Sequence, residues 1–271
     1  MTYNEELNIQ ACLDSVSWSD DVLVFDSFSS DKTCAIAEAR GARVLKHAFE
    51  NYGAQREAAR QMGAYKYPWV LALDADERPD AELVAELKAI AASPLDGPKA
   101  YRMRRKDHFQ GRWIKHSTLY PSWFARLYQW NQVHYEPRSV HEYPIAEGPL
   151  GELKGHLLHF SFNKGLSEWW TKHVRYAELE AKEGLKSFSE PIDWIGLISL
   201  RNPIRARRAL KNFAARLPFR PLLRFVYGYF WRGGVFDGRA GLDYCLMLAS
   251  YEYMIVLQMR TQKNASLAEN P

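Results

Sequence analysis

Three carboxylates, Asp74, Asp76 and Glu77, follow the short apolar run Trp69–Leu73, where a buried strand is expected to end. Carboxylates held close together repel one another, so a cation that prefers oxygen ligands would stabilise them there. Mg²⁺ or Mn²⁺ held by one or two carboxylates takes its remaining ligands from water and substrate phosphates. The spacing of Asp74 and Asp76 therefore indicates a metal site, and a solvated acidic turn is the structural alternative.

Strands and helices alternate along the first hundred residues. The predicted strands are Asp21–Phe25, Ala42–Leu45 and the run that begins at Trp69. The predicted helices begin at Asn4, Thr33 and Tyr52 and after Pro79-Asp80, with Gly41 just beyond the end of the second. This alternation predicts an α/β fold with a mostly parallel sheet and helices on both faces.

Ligands of such sheets bind at the carboxyl ends of the strands. Polar residues fall at or just beyond those ends in this chain, namely Asn4, Asp26, Asp31, Asp74 and Asp76. No apolar strand precedes Asn4, although a fold of this kind normally has one there. We expect either that the true start lies upstream of Met1, which we favour, or that the first strand is lacking.

Four N-terminal motifs carry a family resemblance: Thr2–Glu6, Val24–Thr33, Gln55-Arg56 and Leu73–Glu77. Together with Val140–Glu142 and Phe236–Gly238, they resemble the family 2 glycosyltransferases, especially the lipopolysaccharide-core β-1,4-glucosyltransferases. The resemblance implies a GT-A fold, in which a Rossmann-like nucleotide-binding sheet is joined to an acceptor-binding half. The chain departs from the family pattern in lacking the strand before Thr2.

The resemblance also implies roles for the donor site. Thr2, Tyr3 and Glu5 would lie beside the uracil of a UDP-sugar, and Asp26 and Asp31 would meet the base and ribose. Carboxylates suit that task because uracil N3–H and ribose hydroxyls are donors. Asp31 could instead only cap the following helix.

Further implied roles concern the diphosphate and the acceptor. Asp74 and Asp76 would hold Mg²⁺ or Mn²⁺ against the UDP diphosphate, and Asp76 is counted with the catalytic residues. Arg56 would meet the diphosphate or base, with an exposed helix arginine as the alternative. Glu142 is the expected general base on the acceptor hydroxyl, and His141 is the runner-up. His159, at the end of a later strand, is either a member of the site or a structural histidine.

The composition sets the compartment and the size. A chain of 271 residues with 47% hydrophobic residues suffices for one large domain with a helical addition. Cys12, Cys34 and Cys245 lie far apart without metal-ligand spacing, which indicates reduced thiols in a cytosolic protein. No run approaches the about 18 uninterrupted apolar residues of a spanning helix.

The C-terminal third is predicted to be helical and basic. Between Arg201 and Arg239 there are ten Lys or Arg residues and a single acid, Asp237, interleaved with apolar and aromatic residues. Such a stretch is typical of an element that binds an anionic membrane surface. A solvated helix face and a nucleic-acid site are the alternatives, and no nucleic-acid-binding motif accompanies the charge.

The combined interpretation is a metal-dependent inverting glycosyltransferase that extends an envelope glycolipid, with UDP-glucose as the expected donor. Residues 1–160 would form the catalytic domain, with a nucleotide-sugar half to about residue 95 and an acceptor half after it. Residues 161–271 would form a helical region peripheral to the inner face of the cytoplasmic membrane. A polyprenyl-phosphate glycosyltransferase and a non-catalytic membrane-binding scaffold are the alternatives.

Overall fold

The computed structural model describes residues 1–118, 120–135, 144–146, 148–189, 191–197, 203–214 and 216–269. The chain divides into two compact units. The first comprises residues 1–113 and 119–163, and the second comprises residues 114–118 and 164–271. The first unit is α/β, and the second is helical throughout its named elements.

The first unit contains ten strands and four helices among its described residues. The strands are β1 (Leu23–Asp26), β2 (Arg43–Lys46), β3 (Trp69–Leu71), β4 (Glu77–Pro79), β5 (Ala100–Phe109), β6 (Arg112–Trp113), β7 (Ser122–Gln129), β8 (Val133–Tyr135), β9 (Pro144–Ala146) and β10 (Leu150–His159). The helices are α1 (Ile9–Ser15), α2 (Thr33–Ala39), α3 (Tyr52–Met62) and α4 (Ala81–Ala91).

The sheet is mixed, which corrects the prediction that it is mostly parallel. β1 pairs with β2, and β5 with β10, in parallel. The other ladders of the main sheet, whose order is β3-β7-β5-β10-β4, are antiparallel. Antiparallel neighbours follow because the chain returns through β5, β7 and β10 without a helix between β5 and β7, which a parallel crossover would need.

Local sequence accounts for most helix boundaries. Asp80 caps α4 by accepting a hydrogen bond from the Leu83 amide at 2.9 Å, and Asn51 caps α3 in the same way through the Ala54 amide. Gly41 follows α2 with a positive φ of 77°, as predicted. The prediction that a helix begins at Asn4 is wrong, because Asn4 has a φ of 53° and its side-chain oxygen accepts from the Ser30 amide.

Three apolar clusters lie in the described part of the first unit. Ile9 of α1 packs with Val24 of β1 in the first cluster, and Leu83 of α4 packs with Met103 of β5 in the second. The third joins Tyr128 of β7 to Val133 and Tyr135 of β8. Gly155 of β10 permits α4 to approach closely, since a Cβ there would lie 2.3 Å from the Leu83 amide nitrogen.

A slot separates β1 from β3 in the first unit. Met1 donates from its ammonium group to the Leu73 carbonyl at 3.1 Å, and the Thr2 amide donates to the Phe25 carbonyl at 3.0 Å. Thr2 forms an isolated parallel bridge with Asp26, which is the only pairing that β1 makes on this side within the described residues. The rest of the slot is a cavity of about 410 Å³ lined mainly by apolar side chains of these strands and α1.

The second unit is built on two long helices. They are α5 (Gly165–Ser189) and α9 (Gly238–Glu269), which pack through Ala177, Ala181, Ile255 and Met259. Between them come α6 (Trp194–Leu197), α7 (Pro203–Ala214), α8 (Arg220–Val226), a π-helical segment at Tyr227–Trp231 and a 3₁₀ turn at Gly234–Asp237.

The region Gly234–Lys263 is long and apolar enough to cross a membrane, by length and composition only. It is the single such helix in the part of the chain that the structure describes, and 28% of its apolar window is buried inside the protein. The sequence expectation concerned uninterrupted apolar runs, and Asp243 and Glu252 interrupt this helix.

Candidate active site

Asp74 and Asp76 lie in the turn that leads from β3 to Glu77, the first residue of β4, and we call these residues the carboxylate turn. The Glu77 amide donates to the Asp74 carbonyl at 2.9 Å, and the Glu77 carboxylate accepts from the Asp74 amide at 3.1 Å. Glu77 is fully buried, whereas Asp74 and Asp76 are part-exposed. The turn therefore exposes two aspartates in part, and its hydrogen bonds to the buried Glu77 stabilise it.

Two arginines neutralise Asp74. Arg56 of α3 donates to Oδ1 at 3.1 Å and Arg126 of β7 donates to Oδ2 at 2.5 Å, while Arg126 also donates to Glu77 at 2.8 Å. Burial alone would raise the pKa of Asp74, but the guanidinium groups of Arg126 and Arg56 hold that pKa well below its usual range. Arg56 is thus buried in the site, which excludes the alternative of an exposed helix arginine.

Sequence reasoning missed Arg126. Its signal was a lone cation in a half-buried strand, between Ala125 and Leu127. Because arginine is rarely buried without a partner, such a residue indicates a carboxylate nearby in space. The partner could not be named, since Asp74 lies 52 positions away in the sequence.

Asp76 is held from the other side by a histidine. His159, at the end of β10, places Nε2 at 3.3 Å from Asp76 Oδ2 and Nδ1 at 2.6 Å from Asp107 Oδ1. Arg105 lies 3.0 Å from the same Asp107 oxygen. Burial disfavours the charged imidazole, but the hydrogen bonds to Asp107 and Asp76 raise the pKa of His159 to about 9. His159 therefore belongs to the cluster, and Asp107 was not foreseen.

The N-terminal loops gather most of the remaining predicted residues. Asp26 is fully buried and accepts from Thr2 Oγ1 at 2.8 Å, from the Ser29 amide at 2.7 Å and from Ser29 Oγ. Although burial would raise the pKa of Asp26, the bonds from Ser29 and Thr2 lower it. Asp26 therefore fixes the loop after β1 against the start of the chain.

Asp31 and Glu5 add further bonds between the start of the chain and the loop after β1, and we call this bonded set, with Thr2, Asp26 and Ser29, the N-terminal clamp. Asp31 accepts from the amides of Glu6 and Thr33, both at 3.0 Å, and the Glu5 amide donates to Thr33 Oγ1 at 2.7 Å. The bond from Thr33 agrees with the capping alternative for Asp31. The rings of Tyr3 and Phe28 are both exposed beside this clamp. Phe28 has a positive φ of 59°. Phe28 was not singled out from the sequence.

Three tryptophans of the first unit pack against neighbouring side chains. Trp123 lies beneath the guanidinium of Arg102 at 5.0 Å, and Trp113 meets Tyr120 edge-on at 5.1 Å. Trp130 lies 5.9 Å from the ring of Tyr65. All of these tryptophans are half-buried, so they contribute to packing in the first unit.

Two questions concern the metal and the base. In the ranges that the structure describes, no group of three or more His, Cys, Asp and Glu residues converges as a metal cage. The donor chemistry nevertheless fits a cation that takes one or two carboxylates, since Asp76 is part-exposed, whereas both Asp74 oxygens accept from arginine. Glu142 and His141 lie outside the described residues.

Asp26 is the last residue of β1 and the carboxylate turn follows the end of β3, the edge at which ligands of α/β sheets bind. The profile described as "Glycosyl transferase family 2" matches residues 1–144. The chain belongs to this family. The predicted α/β unit and helical C-terminal region are both present, and the sheet is mixed where a mostly parallel one was predicted.

Relatives of known sequence include the lipopolysaccharide core biosynthesis glycosyltransferase LpsC of Rhizobium meliloti (strain 1021). It is 28% identical over 198 residues, which cover 69% of this chain and 71% of LpsC. An uncharacterized glycosyltransferase of Rickettsia bellii is 39% identical over 94 residues, which cover 34% of this chain and 31% of that relative.

Similar solved structures include the mannosyltransferase PcManGT from Pyrobaculum calidifontis in complex with GDP-Man and Mn²⁺. Its TM-score is 0.47 at 14% identity, covering 97% of this chain and 86% of that one. S. aureus TarS 1–349 in complex with UDP-GlcNAc has a TM-score of 0.40 at 16% identity, covering 93% and 89%.

Proposed function

We propose that this chain transfers a sugar, with glucose from UDP-glucose as the expected donor, to a membrane-held envelope glycan such as the lipopolysaccharide core. Family membership and the relation to LpsC support this assignment. The observation that carries the mechanism is the Asp76 carboxylate, which His159 and Asp107 orient on a turn whose other acids are already neutralised.

The donor would bind over the N-terminal clamp. Thr2, Tyr3 and Glu5 would lie beside the uracil, with Asp26 and Asp31 fixing the loops that surround base and ribose. The exposed ring of Phe28 adds a second aromatic surface on which a base could stack. Because Asp26 and Asp31 already accept several hydrogen bonds, we assign them a positioning role in addition to any contact with the nucleoside.

A divalent cation, Mg²⁺ or Mn²⁺, would be held chiefly by Asp76. Asp74 would contribute as the second carboxylate, at the cost of one of its arginine contacts, or through water. Bound there, the cation would supply Lewis-acid stabilisation of the departing UDP. Arg56 and Arg126 would hold the turn when the cation is bound, and Arg56 is the arginine expected beside the diphosphate.

The acceptor half of the mechanism rests on the resemblance. Glu142 would remove the proton of the acceptor hydroxyl on the face opposite the leaving group, which gives inversion. Residues 1–160 are proposed as the catalytic domain, and 161–271 as the region that meets an anionic membrane surface through residues 201–239. The proposed location is the cytoplasm, peripheral to the inner face of the cytoplasmic membrane.

Thermal unfolding of the purified chain tests this assignment, with UDP alone, Mn²⁺ alone, both, and both plus EDTA. A ligand that binds only the folded state raises the midpoint, by about 2.7 kcal/mol of stabilisation at one hundred times its Kd. We expect a shift that needs UDP and Mn²⁺ together, disappears with EDTA and is absent in Asp76→Asn. The matched control is Asp20→Asn, which changes an exposed aspartate paired with Lys66 and should keep the shift.

Two outcomes would contradict the proposal. A full shift in Asp76→Asn would remove Asp76 from the metal site. A cooperative transition of the parent chain that no combination of UDP and Mn²⁺ shifts would favour a non-catalytic scaffold.

A further inference from the structure

A set of exposed apolar side chains lies within residues 219–236 of the second unit. It consists of Phe219, Leu222, Val226, Phe230, Trp231 and Phe236, which we call the aromatic ridge. Leu222, Val226 and Phe230 follow one another at intervals of four, so they lie along one side of α8 and its π-helical continuation. The exposed fractions of Phe219, Trp231 and Phe236 are 78%, 83% and 77%. Exposed apolar side chains that gather in one segment are typical of a contact site.

The end of the ridge is rigidly built. Asp237, next to Phe236, is buried and accepts from the His116 amide at 2.9 Å, the Ser117 amide at 2.6 Å and Ser117 Oγ at 2.7 Å. Gly233 and Gly238 have positive φ values of 78° and 65°, which a side-chain-bearing residue rarely adopts. The turn therefore fixes the direction of Phe236, whose ring meets His116 edge-on at 5.7 Å and otherwise faces solvent.

Close glycine contacts support the same turn from below. A Cβ at Gly234 would lie 2.8 Å from the Gly228 carbonyl oxygen, and one at Gly241 would lie 2.2 Å from the Gly234 carbonyl oxygen. The π-helical segment, the turn and the start of α9 thus pack backbone against backbone. Since this construction holds exposed aromatic rings outward, the rings are positioned for a partner.

The charged residues in the same segment indicate the kind of partner. Between residues 216 and 239 there are five arginines and one acid, Asp237, whose carboxylate is buried by the loop that it holds. Arg220 is paired with Glu252, and Arg239 at the start of α9 is exposed. Aromatic side chains interleaved with arginines suit the boundary between anionic headgroups and acyl chains, where rings insert and cations remain at the headgroups.

We propose that the aromatic ridge inserts into the interfacial layer of an anionic lipid bilayer and is the principal anchor of this chain. The proposal rests on the proposed function in one respect, since it specifies the element by which an enzyme with a membrane-held acceptor would meet its membrane. It differs from attraction by the basic stretch alone, because insertion of rings survives screening that removes most of an electrostatic contribution.

Vesicle sedimentation tests the ridge. The full chain is mixed with vesicles of phosphatidylcholine, or of phosphatidylcholine with 30 mol% phosphatidylglycerol, at about 0.1 M and about 0.5 M NaCl, where screening lengths differ roughly twofold. We expect binding to the anionic vesicles that is weakened but retained at the higher salt. Trp231→Ser combined with Phe236→Ser should reduce the partition coefficient at least tenfold at both salt concentrations.

The matched control is Phe49→Ser, which removes an exposed aromatic ring of the first unit and should bind as the parent does. The circular dichroism spectrum and unfolding midpoint of the ridge variant should remain those of the parent, because the substituted rings are exposed. Retention of the joint UDP and Mn²⁺ shift in that variant separates the two proposals: loss of vesicle binding with the shift intact supports the ridge independently of catalysis.

Four results would overturn the proposal. The first is vesicle binding by the ridge variant that equals the parent's, and the second is complete loss of the parent's binding at the higher salt. The third is resistance of the membrane-bound chain to alkaline carbonate extraction, which would indicate that α9 spans the bilayer. The fourth is self-association through the ridge in place of vesicle binding. If the ridge variant loses vesicle binding while the parent shows no UDP and Mn²⁺ shift, the ridge stands and the catalytic proposal fails.

Discussion

Replacing Arg126 by methionine removes the cation that joins two acids of the carboxylate turn. Arg126 is 8% exposed, and it donates to Glu77, which has no exposed surface, and to Asp74, which is 37% exposed. Methionine preserves much of the volume, so the change leaves charges without their partner and creates little cavity.

The expected cost follows from the burial of each acid. Removing one partner of a buried ion pair costs about 3–5 kcal/mol, because the remaining charge stays desolvated. Asp74 keeps Arg56, and Arg105 lies 3.9 Å from Glu77, so we place Arg126→Met near the lower end, at about 3 kcal/mol. Adding Glu77→Gln should recover part of that loss, since it removes the buried charge that Arg126 neutralised.

Urea unfolding followed by near-ultraviolet circular dichroism measures these free energies. The matched control is Arg40→Met, which breaks an ion pair between exposed side chains, Arg40 and Asp14, and should cost at most about 1 kcal/mol. Equal losses for Arg126→Met and Arg40→Met would refute the reasoning. So would a double variant less stable than Arg126→Met alone.

Two further predictions concern packing and pH. Gly155→Ala should destabilise the chain by about 2–3 kcal/mol, because the new methyl group would press on the backbone at Leu83. The control is Gly97→Ala, whose new methyl group would have its nearest contact at 3.6 Å and should be close to neutral in the same urea assay. The folded-state pKa of Asp26 lies below its unfolded value, so its stabilising effect is present above pH 3.8 and is lost as the pH falls below that. Asp26→Asn should therefore lose less stability than the parent between pH 5 and pH 2, and identical pH profiles of the unfolding free energy would contradict this.

The sequence predicted the features that depend on near neighbours. Three such features are the start of α4 at Asp80, the glycine after α2 and the strand that leads into Asp74. Each follows from residues within one or two turns of it. Asn4 does not cap a helix, because its side-chain oxygen accepts a hydrogen bond from the Ser30 amide, 26 positions away. Local rules cannot reveal that competition between partners.

The site was predicted in its acids but not in the groups that hold them. Asp74 and Asp76 stand out by spacing, whereas Arg126 and Asp107 acquire their roles from pairing between strands that are distant in the sequence. The antiparallel order β3-β7-β5 brings Arg126 beneath the turn. Glu142, predicted from a motif alone, stays a prediction.

The balance of charge in the carboxylate turn has a kinetic consequence. Asp74, Asp76 and Glu77 face Arg56, Arg126 and a protonated His159, so the formal charges of these six groups cancel. A nucleoside diphosphate donor of the proposed kind would therefore meet no net charge from these six groups. Long-range steering depends on net potential, so the association rate of the donor should be set by the cation it brings and by short-range fit.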